Sequence, residues 1–84
     1  MIVGMATFRL SHRHTPRECP AAFACWRGFP SPLRHHPTTG SCHLDDHQLW
    51  WDVEADDADA ALALLPPFVA ARTTASPIGD VRIP

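Results

Sequence analysis

The sequence predicts an α+β domain with the element order strand, helix, strand, strand, helix, strand: a four-stranded antiparallel sheet in the order 4-1-3-2 with two helices on one face. Three observations carry this expectation. Residues 5–14 alternate apolar and polar side chains, Thr15–Glu18 reads as a capping box ahead of a short apolar stripe, and two alternating segments flank Asp45-Asp46. At 84 residues the chain has room for one domain over residues 1–84, and it buries only about 60–65% of the surface its unfolded form exposes. No internal repeat is present.

The first strand runs from Met5 to His14, with Phe8 and Leu10 on one face and Thr7, Arg9, Ser11 and Arg13 on the other. The same parity places His12 and His14 on the buried side, at the strand's end. Met1 to Gly4 reads either as an extension of this strand or as a segment upstream of a second start at Met5. Thr15-Pro16-Arg17-Glu18 opens the first helix, whose regular part starts at Pro16 or, with Cys19 as cap, at Pro20. Cys19, Phe23 and Trp26, with Ala22 beside them, form its core stripe and Cys25 lies off it. Residues 28–37 are a Pro-rich connection carrying Arg34, His35 and His36. Thr38–Leu44 and His47–Glu54 read as a hairpin closed by Asp45-Asp46, pairing 44 with 47 and 42 with 49. Cys42, Leu44, His47, Leu49, Trp51 and Val53 then face the core. The acidic start at residues 55–59 caps a second helix, kinked or restarted at Pro66-Pro67 and ended by Arg72. Pro77–Ile83 supplies a last strand, placed at an edge by its prolines.

Composition narrows the function. Hydrophobic residues make up 45% and charged residues 19%, the balance of a globular chain, and no apolar run approaches the roughly 20 residues of a bilayer span. The N-terminus lacks the basic and apolar regions of a secretory leader, so a cytoplasmic location is expected. Seven Arg and no Lys stand against nine carboxylates, giving a net charge of −2, and no stripe of Arg forms, so nucleic acid is not an expected partner. Three Cys, an odd number without an export signal, read as free thiols or metal ligands, and six His are the other outlier.

The element order is the ferredoxin-like pattern. It brings the end of strand 1, the start of helix 1 and the hairpin of strands 2 and 3 to one edge of the sheet, so that His12, His14, Cys19, His43, Asp45, Asp46 and His47 converge. His35, His36 and the acidic start of helix 2 fall at the opposite edge. The helix-free face carries Trp50 among Arg9, Arg13, Asp52 and Glu54, and an uncovered sheet over a thin core favours a homodimer through that face.

The strand ending in His-Arg-His, the Thr-Pro-Arg-Glu-Cys-Pro helix start, the Leu-Trp-Trp strand and the Leu-Leu-Pro-Pro-Phe segment resemble small bacterial proteins of the ferredoxin-like, dimeric α/β-barrel type. That group includes nickel-binding and muconolactone-isomerase-like members. The resemblance implies sheet-to-sheet dimerisation, and no isomerase catalytic set maps onto this chain.

The strongest chemical constellation is His12-x-His14-x4-Cys19, supplemented by His43 or His47. Alternate strand residues project to one face about 6–7 Å apart, and a Cys at a helix start has its thiolate favoured by the dipole. Imidazole and thiolate suit zinc, nickel or copper and not magnesium or calcium. Cys25, Cys42 and Trp51 read as packing residues, His35-His36 as a solvated pair, Asp45 and Asp46 as turn residues, and Asp56, Asp57 and Asp59 as cap and dipole partners. The leading expectation is a transition-metal-binding protein. The alternative is a small-molecule isomerase or ligand-binding protein using the same cleft, with His12 or His14 as base and Cys19 as nucleophile. No phosphate loop or nucleophile elbow is present.

Overall fold

Strand β1 (Ala6–Arg13) lies inside the sheet, because both of its edges are taken. On one side it pairs antiparallel with β3 (Gln48–Ala55), Leu10 opposite Trp51; on the other it pairs with β4 (Thr73–Ile78), Leu10 opposite Ala75. A two-residue strand, β2 (Thr39–Gly40), completes the sheet beside β3. The order is β2-β3-β1-β4 from one edge and therefore 4-1-3-2 from the other. This is the computed structural model of the chain, and it describes residues 5–84. The reading of Met1–Gly4 as a strand extension or an upstream start lies outside the described residues.

The connections are short helices: α1 (Cys19–Ala24), preceded by a 3-10 turn at Pro16–Glu18, then α2 (Ala58–Leu62) and α3 (Pro67–Ala70). Phe8, Leu10, Val53 and Ala55 from one face of the sheet form a single core with Ala61, Leu65 and Val69. The helical segments thus cover one face, giving an antiparallel α+β architecture. On the other face Arg9 meets Asp52, its partner in the strand register, through two hydrogen bonds of 2.8 and 2.9 Å.

The capping box forms as the sequence predicts, Thr15 and Glu18 each accepting the other's backbone N–H. Glu18 has a second task, since its Oε2 accepts from Arg72 Nε at 2.8 Å. Backbone donation from Thr15 and the Arg72 guanidinium hold its carboxyl below the usual range. Arg72 also donates to the Phe68 carbonyl and lies 3.7 Å over the Phe68 ring, closing α3. The start of α1 is thereby fastened to the end of α3.

Three expectations are corrected. On α1 the expected Ala22 is fully buried and Trp26 packs on the core, but Cys25 packs there too, while Phe23 is 51% exposed. Phe23 instead stands edge-on to His14, ring centroids 6.2 Å apart. The second helix restarts at Pro66-Pro67 as expected, giving two short pieces, because the prolines interrupt the hydrogen-bond ladder. The last strand begins at Thr73, directly after Arg72, so Val81 and Ile83 lie beyond it and are exposed; its edge position is as expected.

The hairpin differs most. The strand expected over Thr38–Leu44 stops at Gly40, and residues 42–44 form a 3-10 turn ending in Asp45 at φ 66°. Thr39 faces Trp50 and Gly40 faces Leu49, a shift of two residues from the expected pairing that preserves face parity. Ser41 is the cause. Its carbonyl accepts from the backbone of Leu44 and Asp46, and its hydroxyl joins Asp46 and the Gln48 N–H. That wraps residues 41–47 into a loop and leaves Leu44 79% exposed. Gly40 permits the close pairing, since a Cβ there would meet Leu49 Cδ2 at 2.6 Å.

Leu10 has no solvent exposure, so Leu10→Ala is expected to lower unfolding free energy by about 2–5 kcal/mol. Leu44→Ala is expected to stay within about 0.5 kcal/mol of the parent. Urea unfolding of both variants checks the assignment of core and loop.

Candidate metal centre

Alternation carries His12 and His14 to the inner face of β1, where they are 1% and 3% exposed. Neither ring can be left unsatisfied at such burial. His12 Nδ1 lies 3.2 Å from the Val69 carbonyl and 3.1 Å from Thr73 Oγ1. The carbonyl only accepts, and the Thr73 hydroxyl gives its own proton to that carbonyl at 2.6 Å. Both partners therefore need a donor, so His12 carries its proton on Nδ1. Its Nε2 is left with a lone pair, 2.9 Å from His14 Nδ1, which must donate. This fixes the tautomer of His14 in turn. Its Nε2 lone pair points out of the relay and lies 3.6 Å from Cys42 Sγ.

Around that nitrogen four side chains meet. His14, Cys19, Cys42 and His47 each offer a donor atom, and these atoms all lie within 4.8 Å of one another. They come from three places in the chain: the end of β1, the first residue of α1 and the loop before β3. His47 is held there at φ 53°, a left-handed conformation that costs a non-glycine residue free energy. Its carbonyl accepts from the His14 N–H at 3.2 Å, and its ring lies 5.4 Å from that of His14. His47 Nδ1 is buried with no hydrogen-bond partner. An orphaned imidazole nitrogen beside two thiols and a directed lone pair is the donor set a borderline-soft cation requires.

In the metal-free protein burial acts against the charged forms of His12, His14 and Cys42. Burial lowers the His12 pKa, reinforced by His14; burial likewise lowers that of His14, reinforced by His47. Burial and the neighbouring Cys19 raise the Cys42 thiol. A bound cation reverses this balance by favouring thiolate, and its binding releases protons.

Of the residues singled out in the sequence, His14, Cys19 and His47 are in the cluster and His12 stands behind His14 as its hydrogen-bond partner. His43 is exposed on the 3-10 turn and is not among the four. Cys42, expected to pack in the core, takes that place because the 3-10 turn swings it toward His14. Asp45 is a turn residue at positive φ, and Asp46 accepts from Gln48 and Ser41, so both serve the loop. His35 and His36 are not remote from this end of the sheet. They share a cavity wall with Cys42 and His43, because two-residue β2 lets the preceding loop reach across. No helix among the described residues is long and apolar enough to cross a membrane.

Comparison of the chain with protein-family models, with curated proteins and with solved structures gives no match. The functional reading therefore rests on the geometry.

Because folding lowers the pKa of His12 and His14, the unfolded chain binds more protons wherever the two states differ. Their contribution is complete above the unfolded value of about 6.5 and is lost as pH falls through the folded values. Metal-free protein is accordingly expected to lose stability progressively below about pH 6.5, measured by urea unfolding across pH; a flat profile there contradicts the assignment. His12→Phe removes the acceptor for His14 Nδ1–H while keeping an aromatic ring in place. It is expected to weaken metal binding by about 10–100-fold, read by competition with a chromophoric chelator.

Proposed function

We propose that this protein binds a transition metal through His14, Cys19, Cys42 and His47, with His12 holding His14 in its ligating tautomer. One observation carries the reading: four nitrogen and sulfur donors from three separate elements lie within 4.8 Å of one another. Two imidazoles and two thiolates are a closed tetrahedral set, the composition in which zinc holds structure together. Nickel and copper are the competing ions, and among such ions geometry and availability decide more than raw affinity.

The position of the centre suggests what the ion does. It joins the end of β1, the start of α1 and the loop before β3, where the apolar core has few residues to offer. A small domain with a thin core gains most from such a staple. In this reading the fold is ferredoxin-like, and the helix-free face around Trp50 receives a second copy of the chain.

The test is elemental mass spectrometry on untagged protein, with the loading repeated for zinc, nickel and copper. Stoichiometric metal is expected in the parent and in His43→Ala, with loss in His14→Ala and Cys42→Ala. A parent that neither carries nor accepts any of the three ions overturns the proposal. So does retention of full metal by Cys42→Ala.

A further inference from the structure

A cavity of about 390 Å³ lies beside the metal cluster, bounded by α1, the loop of residues 28–38, β2 and β3. Its volume is that of a small-ligand site. The metal cluster and the cavity wall share only Cys42, so neither needs the other to form.

The walls divide by chemistry. Phe23, Trp26, Leu33 and Trp51 supply an apolar and largely aromatic body, with the two indoles 5.9 Å apart and tilted by 46°. Arg34, His35, His36 and His43 supply the polar part, and no Asp or Glu lines the cavity. This distribution runs against the whole chain, in which carboxylates outnumber Arg by nine to seven.

Arg34 is half-buried, and among the described residues it forms no ion pair, unlike Arg9, Arg13 and Arg72. A partly desolvated guanidinium without a carboxylate is an open anion receptor, whose planar fork matches a carboxylate.

The loop is held in place for such a role. Ser31 Oγ donates to the Leu64 carbonyl at 2.7 Å and accepts from the Leu33 N–H at 3.2 Å, while the Arg34 N–H donates to the Ser31 carbonyl. That fastens the segment carrying Arg34 to the end of α2.

We infer that the cavity binds a small aromatic carboxylate, its ring against the Trp26 and Trp51 side and its carboxylate at Arg34. Inorganic phosphate has the charge without the apolar body, a neutral arene has the body without the charge, and an amine meets Arg34 with like charge.

The probes are 1-naphthoate, its neutral relative 1-naphthamide, and inorganic phosphate, titrated into the full chain with tryptophan fluorescence and calorimetry as readouts. Naphthoate is expected to bind at least about tenfold more tightly than naphthamide or phosphate, the scale of a charged hydrogen bond. Arg34→Met is expected to bring naphthoate down to the level of naphthamide and leave naphthamide unchanged. Equal binding of naphthoate and naphthamide by the parent, binding of phosphate as tight as naphthoate, or no binding of naphthoate overturns the inference, and none of these readouts depends on a variant folding. Zinc-loaded and metal-free protein are both expected to bind naphthoate, so failure of the metal proposal would leave this result standing.

Discussion

Two imidazoles joined by a 2.9 Å hydrogen bond in the interior of the fold set the terms for everything around them. Buried polar rings must be fully paired, and the pairing of His12 and His14 reaches into three other elements. His12 is anchored by Val69 at the end of α3 and by Thr73 at the start of β4. The His14 backbone is anchored by the His47 carbonyl, ahead of β3. The relay thus closes the end of the sheet that the apolar cluster of Phe8, Leu10 and Val53 does not reach. It does so with directional bonds, which define one arrangement where a few more methyl groups would define only a volume.

The same relay makes a ligand of His14. A surface imidazole chooses between two tautomers and many rotamers; this one is left with a single lone pair in a single direction. The other three donors are fixed just as independently of any ion. Cys19 follows Glu18, whose carboxylate joins the capping box to Arg72. Cys42 lies in the turn organised by Ser41, and His47 is held in a strained backbone conformation by its carbonyl bond to His14. A site supported in this way binds with little reorganisation, since the ordering cost is met when the chain folds.

How much of this was legible follows from the range of each signal. Strand parity is local, so the burial of His12 and His14 could be read from ten residues. The capping box is equally local, and it formed with the residues expected. The convergence of β1, α1 and the segment before β3 followed from element order. Cys42 was not legible. Its role depends on Ser41 ending β2 early, and Ser41 does that through Asp46 and Gln48, a network of side chains that hydrophobic alternation does not register. A 3-10 turn replaced the strand, which brought Cys42 into the cluster and left His43 exposed. Phe23, expected in the core stripe, stands exposed beside His14, a contact that apolar spacing along the helix does not register. The sulfur-bearing side chain one position before His43, beside a turn rich in Ser and Asp, was the signal to weigh.

The central claim is that His12 fixes the tautomer of His14 and so aims its Nε2 at the metal. Long-range nitrogen–proton NMR of the imidazole rings, recorded above pH 7 before and after zinc is added, tests it most directly. Protons on Nδ1 of both His12 and His14 are expected in the metal-free protein, with zinc shifting His14 Nε2 while its Nδ1 stays protonated. A His14 ring protonated on Nε2, averaging between tautomers, or ligating through Nδ1 would contradict the account.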